Sequence, residues 1–246
     1  FFEVSKVIRI KNLYLRYTRE FYALYNVNIE VSQGESVALV GEDESGKTSL
    51  LRILAKLEKL TKGEVFVKDI PIKKLNFKTD INAGYVPATP VFLKKKSVYE
   101  NFKYILKGWD LTDKEIEANI NNTIIEYSLE KIKDTKIKDL TLEEKYVLSL
   151  IRLTMRGDLE LLMIDNIFEK LSEPTKEVVF NLIKQLKKKK TTLIVATTKE
   201  EIADALCKRK IYFKYGSVVD SLEEEDDNKT NKPHTKQFIE KMKEEQ

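Results

Sequence analysis

Glu35-Ser-Val-Ala-Leu-Val-Gly-Glu-Asp-Glu-Ser-Gly-Lys-Thr-Ser-Leu-Leu-Arg-Ile-Leu-Ala55 is the stretch that decides the fold. Its centre, Gly41 to Thr48, is a full G-x-x-x-x-G-K-[ST] phosphate loop. The apolar run before it reads as a strand and the run after it as a helix, the order in which loop amides and a helix N-terminus converge on one phosphate. Gly41 and Gly46 permit backbone conformations that a side chain would obstruct, and Lys47 reaches the β- and γ-phosphates as a point charge. Thr48 offers its hydroxyl to Mg²⁺. The expected nucleotide-contacting set is therefore Gly41, Glu42, Asp43, Glu44, Ser45, Gly46, Lys47, Thr48 and Ser49. The three loop carboxylates are expected to project into solvent, where screening makes them cheap. ATP with Mg²⁺ is the expected ligand.

Outward from the loop, residues 7–15 and 23–31 alternate apolar with polar residues, which predicts a half-buried antiparallel β-layer. A helix over 47–57, a strand at 62–68 and another at 83–87 are expected next. From about 97 to 156 the period becomes helical: Val98, Phe102, Ile105 and Leu106 form one stripe, Ile116, Ile120, Ile124 and Ile125 another. Residues 160–165 and 191–197 are continuous apolar runs, the pattern of central parallel strands covered on both faces, with a helix at 173–187 between them. The expected fold class is α/β, with a mainly parallel core sheet, an antiparallel β-subdomain and a helical subdomain inserted at about 88–156. Residues 1–220 form the domain, and 221–246 read as a polar charged tail with a weak helical pattern at 237–244.

With 42% hydrophobic and 34% charged residues over 246 positions, the composition is that of a globular domain, and no apolar stretch approaches the roughly 20 residues of a membrane span. A net charge of +4 from 44 basic and 40 acidic residues gives no reason to expect nucleic acid. Cys207 has no second cysteine to pair with, which fits a reducing compartment, and His234 stands in the polar tail as an exposed side chain. No signal peptide is visible; the start Phe1-Phe-Glu3 without methionine leaves a fragment or a processed chain open.

In this order the pieces resemble the nucleotide-binding domain of ABC transporters over roughly residues 5–220. Val98-Tyr-Glu-Asn-Phe102 looks like the start of that family's helical subdomain. Leu140-Thr141 begins where its LSGGQ signature belongs, and Arg152 falls at the arginine that follows it. Residues 201–207 and 215–219 resemble the closing helix and hairpin. The resemblance implies a P-loop NTPase (RecA-like) core, with Asp165 as the Walker B aspartate that holds Mg²⁺ through water while Thr48 binds it directly. Tyr17 lies where the family keeps an aromatic to stack on adenine, with Tyr14, Phe21 and Tyr22 as alternatives. Implied partners are a second nucleotide-binding domain, as homo- or heterodimer, and transmembrane permease subunits whose coupling helix enters a groove near Ala88 and residues 89–103. The implied location is cytoplasmic, peripheral on the inner face of a membrane.

The departures from the family pattern bear on mechanism. Asn166 replaces the glutamate after the Walker B aspartate, and a carboxamide orients water without accepting a proton at neutral pH. Thr198 stands at the switch histidine, Ala88 at the Q-loop glutamine and Ser172 at the D-loop aspartate. The signature reads Leu140-Thr-Leu-Glu-Glu144; Thr141 can replace the serine hydroxyl, but Glu143 and Glu144 are expected to bring carboxylates toward a partner's triphosphate. The expected function is a Mg-ATP-binding domain of an ABC transporter with slow or absent hydrolysis. A non-transport scaffold or regulator on the same fold, and an active ATPase despite Asn166, are the alternatives.

Overall fold

The computed structural model describes residues 5–18, 21–187 and 191–220; the polar tail from 221 lies outside the described residues. Strands β1 (Lys6–Arg16) and β2 (Tyr22–Ser32) pair antiparallel, and β1 also pairs with β4 (Lys62–Val67), which is followed by the short β5 (Ile70–Pro71). The resulting sheet has the order β2-β1-β4-β5. Alternation puts Ile8, Ile10, Leu13 and Leu15 of β1 inward, where a one-residue slip would expose all of them.

The second sheet takes β3 (Ser36–Val40), β6 (Ala83–Val86), β7 (Leu161–Asp165), β8 (Thr192–Thr197), β9 (Arg209–Lys214) and β10 (Ser217–Val219) in the order β10-β9-β3-β8-β7-β6. All neighbours are parallel except the closing β10–β9 hairpin. Every residue of β3, β7 and β8 is buried, as their uninterrupted apolar runs require. This is a P-loop NTPase core with an antiparallel β-subdomain.

Among the described residues the α-helices are α1 (Lys47–Leu54), α2 (Val98–Leu106), α3 (Asp113–Glu126), α4 (Leu142–Thr154), α5 (Glu173–Leu186) and α6 (Glu200–Leu206). Helix α1 stops three residues short of the expected end, because Lys56 takes a left-handed φ of 58°. Helices α2 to α4 form the helical subdomain on the β6 side. Their stripes from Val98, Phe102, Leu106, Ile116, Ile120 and Ile124 join α4 and α5 in one hydrophobic cluster, whereas α1 packs between the two sheets in a second. Ile125 departs from expectation: it is 68% exposed, since one further residue rotates it about 100° off the stripe of Ile124. Among the described residues no helix is long and apolar enough to cross a membrane.

Candidate functional site

Strand β3 delivers the phosphate loop at the C-terminal edge of the parallel sheet. Gly46 holds φ of 105° as the N-cap of α1, and a Cβ there would lie 2.7 Å from the Ala23 carbonyl oxygen. A Cβ on Gly41 would stand 2.2 Å from the Phe213 carbonyl, so neighbouring strands leave room only for glycine. Ser45 is buried, and Glu42, Asp43 and Glu44 are exposed, as their charge demands. The Lys47 ammonium donates to the carbonyls of Gly41 (2.7 Å) and Glu42 (2.6 Å) and to Ser45 Oγ (2.9 Å). Its charge thus sits inside the curl of the loop. Burial pushes this ammonium below the usual lysine value, and the carboxylates of Asp43, Asp165, Glu169 and Glu42 oppose the shift.

Thr48, one residue into α1, donates its hydroxyl to Asp165 Oδ1 at 2.8 Å across a sequence separation of 117 residues. Asp165 ends β7 and is 1% exposed. A buried carboxylate beside a hydroxyl is a hard, all-oxygen donor set, of the kind that binds Mg²⁺ together with phosphate oxygens and water. The residues present fit that ion. Tyr85, which no motif pointed to, donates its hydroxyl to the other carboxylate oxygen, Asp165 Oδ2, at 3.0 Å. Burial first, and the adjacent Asp165 charge second, raise the Tyr85 phenol well above its ordinary range, so it stays a donor. The one available signal was strand period: Tyr85 is a polar-tipped residue in an apolar strand next to β7.

Asn166 follows Asp165 with a left-handed φ of 46°, its N–H bonded to the Ala196 carbonyl at 2.9 Å. Its Nδ2 donates to Asp43 Oδ1 at 3.4 Å, and its Oδ1 is buried without a partner. The carboxamide therefore stands at the mouth of the phosphate loop. Thr198 follows β8 directly, and the carbonyl of its neighbour Thr197 accepts the Gly41 N–H at 3.3 Å. Both expected residues adjoin the loop, with the chemistry of an amide and a hydroxyl.

Tyr17 sits in the connection from β1 to β2. Its ring is 51% exposed and stacks on Phe21, with centroids 6.2 Å apart and planes 17° from parallel. The phenol is fastened to Glu58 Oε2 (3.0 Å) and Ser49 Oγ (3.2 Å), so the ring stands beside the first turn of α1. Tyr14 and Tyr22 instead pack edge-on with Tyr25 on the antiparallel sheet. The four aromatics thus divide into an exposed stacked pair next to the loop and a structural cluster away from it.

In the signature segment the structure shows partners that no sequence pattern indicated. Glu144 closes a capping box with Thr141: its carboxylate accepts the Thr141 N–H at 2.7 Å, and the Thr141 hydroxyl accepts the Glu144 N–H at 3.2 Å. Glu143 accepts from the N–H (2.6 Å) and hydroxyl (2.9 Å) of Ser172 and from the Thr175 hydroxyl (2.5 Å). Each carboxylate is held by donors of this chain. Those three bonds, with that to Thr175 foremost, keep Glu143 below the usual carboxylate range. Ala88 contributes only its carbonyl, which accepts from Tyr146 (2.6 Å) and Lys170 (2.7 Å). Arg152 donates to the Val91 carbonyl at 2.8 Å under the ring of Phe92.

Comparison with known proteins places this geometry. The ABC transporter family matches residues 24–169, more than half of the chain, and the chain belongs to that family. It is a nucleotide-binding domain of the ABC type. It is 26% identical over 222 residues to human ATP-binding cassette sub-family A member 10, covering 88% of this chain and 14% of that protein. It is also 26% identical over 219 residues to the methionine import ATP-binding protein MetN of Clostridioides difficile (strain 630), covering 87% of this chain and 68% of the relative. The chain thus spans about one seventh of the length of the human relative. Among solved structures, cbiO1 from Clostridium perfringens, part of the ABC transporter complex cbiONQ, superposes with a TM-score of 0.72 at 21% identity over 87% of both chains. The dimeric bacterial ABC transporter cassette MJ0796 does so with 0.74 at 26% identity, over 86% of this chain and 96% of that one.

Proposed function

We propose that this chain is the ATP-binding domain of an ABC transporter, binding Mg-ATP through residues 41–49 and Asp165 while hydrolysing it slowly or not at all. The observation that carries the reading is the coexistence of a complete cation and phosphate cradle with an amide in the place of a base. Lys47 and the loop amides attract the phosphates, and Thr48 with Asp165 would hold Mg²⁺, which when bound neutralises phosphate charge. Tyr17 with Phe21 offers the exposed ring pair on which adenine would stack. Beside the loop, Asn166 and Thr198 orient water by hydrogen bonds, but neither takes its proton at neutral pH.

Residues 5–220 make up this domain, with residues 88–156 as its helical part, and the relatives' names support a place beside permease subunits at a membrane. In a dimer of such domains this chain would lend its phosphate loop to one composite site and its signature end to the other. Calorimetry of Mg-ATP binding and phosphate release at saturating Mg-ATP test the reading together. Saturable binding is expected, with turnover far below the roughly 1–1000 per second of ordinary enzymes. Asn166→Glu is expected to raise turnover less than about tenfold while Thr198 and Ala88 remain, because groups that act as a unit are not additive. Absence of binding, or turnover near ten per second, overturns it.

A further inference from the structure

Tyr85 touches the Asp165 carboxylate on one side and a groove of the domain on the other. In the parallel pairing of β6 with β7 it stands opposite Met163, so its side chain shares a face with Met163 and, two residues on, Asp165. With Thr48 on Oδ1 and Tyr85 on Oδ2, both oxygens of the buried carboxylate are held. The Tyr85 ring also helps to wall a groove of about 360 Å³, together with Phe77, Ala83, Arg152, Arg156 and Met163. Arg156 donates to the Ala83 carbonyl at 3.0 Å, at the start of the same strand, and its guanidinium lies 4.6 Å over the ring of Trp109. Trp109 is the single tryptophan of the chain.

We propose that Tyr85 is a positioning residue for the metal site: its hydroxyl fixes the orientation in which Asp165 would meet Mg²⁺, and strand β6 carries the filling of that site to Arg156 in the groove wall and so to Trp109, on which Arg156 stacks. This rests on the Mg-ATP reading above. Thr48 and Asp165 would hold Mg²⁺, and the Tyr85 phenol, bonded to the other carboxylate oxygen, would restrain the way Asp165 turns toward it. Outer partners of this kind set the orientation of a metal ligand, and their loss commonly weakens metal binding by about 10- to 100-fold. Strand β6 carries both the Tyr85 phenol and the Ala83 carbonyl, and Arg156 is hydrogen-bonded to that carbonyl, so a shift at Asp165 has a route to the groove through one short strand with a hydrogen bond at each end.

The test compares the full chain with its Tyr85→Phe variant, which keeps the ring against Met163 and removes only the hydroxyl. Calorimetry measures ATP affinity without metal and then Mg²⁺ affinity of the ATP-loaded protein, and Trp109 fluorescence is followed through the same additions. Tyr85→Phe is expected to leave metal-free ATP affinity unchanged and to weaken Mg²⁺ binding about tenfold. Trp109 emission should change on Mg-ATP binding in the wild type, and lose that change in the variant even at saturating Mg²⁺. Equal Mg²⁺ affinities overturn the positioning role. An unresponsive Trp109 in the wild type, or the same response in the variant, overturns the link to the groove. A wild type that binds no ATP removes the nucleotide reading itself, which the metal-free titration reveals separately.

Discussion

Helices α1 and α4 begin at the two motifs that an ABC domain presents to nucleotide, yet their first turns are completed in opposite ways. Helix α1 starts behind Gly46 with no side-chain cap and no acidic residue in its first turn. Its amides and positive dipole end are left for an outside anion. Helix α4 starts behind Thr141 with a full capping box and with Glu143 and Glu144 in the first turn. Glu144 satisfies the Thr141 N–H, and Glu143 reaches across to the start of α5. One helix end has no side-chain cap, whereas the other is capped by its own chain. At the signature end, Glu143 is an internal fastening between α4 and the start of α5.

The strongest way to break this contrast is to remove the charge that α1 depends on. Lys47→Ala is expected to weaken Mg-ATP binding at least about a hundredfold, since a charge-assisted contact to phosphate is lost from inside the loop. Calorimetry checks this, and an unchanged affinity would mean that the loop is not the nucleotide site. A sharper version transplants the α4 solution onto α1. Ser49→Glu puts a carboxylate at the third helical position, where it can reach back to the Gly46 N–H as Glu144 does to Thr141. It is expected to weaken Mg-ATP by several-fold to about tenfold through repulsion of phosphate, without lowering the melting temperature. An affinity equal to that of the wild type in an equilibrium titration would sink the contrast between the two helix ends.

The smallest effects belong to α4. Thr141→Ala removes its N-cap and should cost about 1 kcal/mol, or about 2–4 °C in melting temperature, with no effect on ATP binding by the isolated chain. Glu143→Gln tests the fastening by its pH dependence. The folded carboxyl titrates below the ordinary value of 4.5, so its stabilisation is complete above that pH and disappears as pH falls through the lower folded value. The melting difference between wild type and Glu143→Gln should therefore be largest near neutrality and close in acid. A difference that stays constant from pH 7 to pH 3 would show that Glu143 is not held as a carboxylate.

The features that could be read from the chain alone are those that short-range chemistry dictates. Residues 41–48 announce a phosphate loop because glycine, lysine and a hydroxyl at fixed spacing leave few other structures. The buried strands β7 and β8 announce themselves because a strand covered on both faces has no polar position. The ABC resemblance implied that Asp165, Asn166 and Thr198 lie at the loop, and each follows or ends such a strand. The partners of Glu143 were not legible, for an equally physical reason. Its spacing from Leu140 locates it on the first turn of α4, but its partners Ser172 and Thr175 lie about thirty residues onward, so no local pattern records them.

The sequence by itself thus determined an α/β domain with a phosphate loop, because periodicity and motif spacing are properties of neighbouring residues; the Walker B role of Asp165 and the base position of Asn166 were implied by the family resemblance. Only the tertiary structure decided which side chains complete the site. The register of β6 on β7 brings the Tyr85 hydroxyl to Asp165, the loop's approach to the end of β7 sets Asn166 on Asp43, and the packing of α4 on α5 turns Glu143 inward. Hydrogen bonds between residues some 30 to 120 positions apart depend on register and packing, which are settled only when the sheets and helices close on one another.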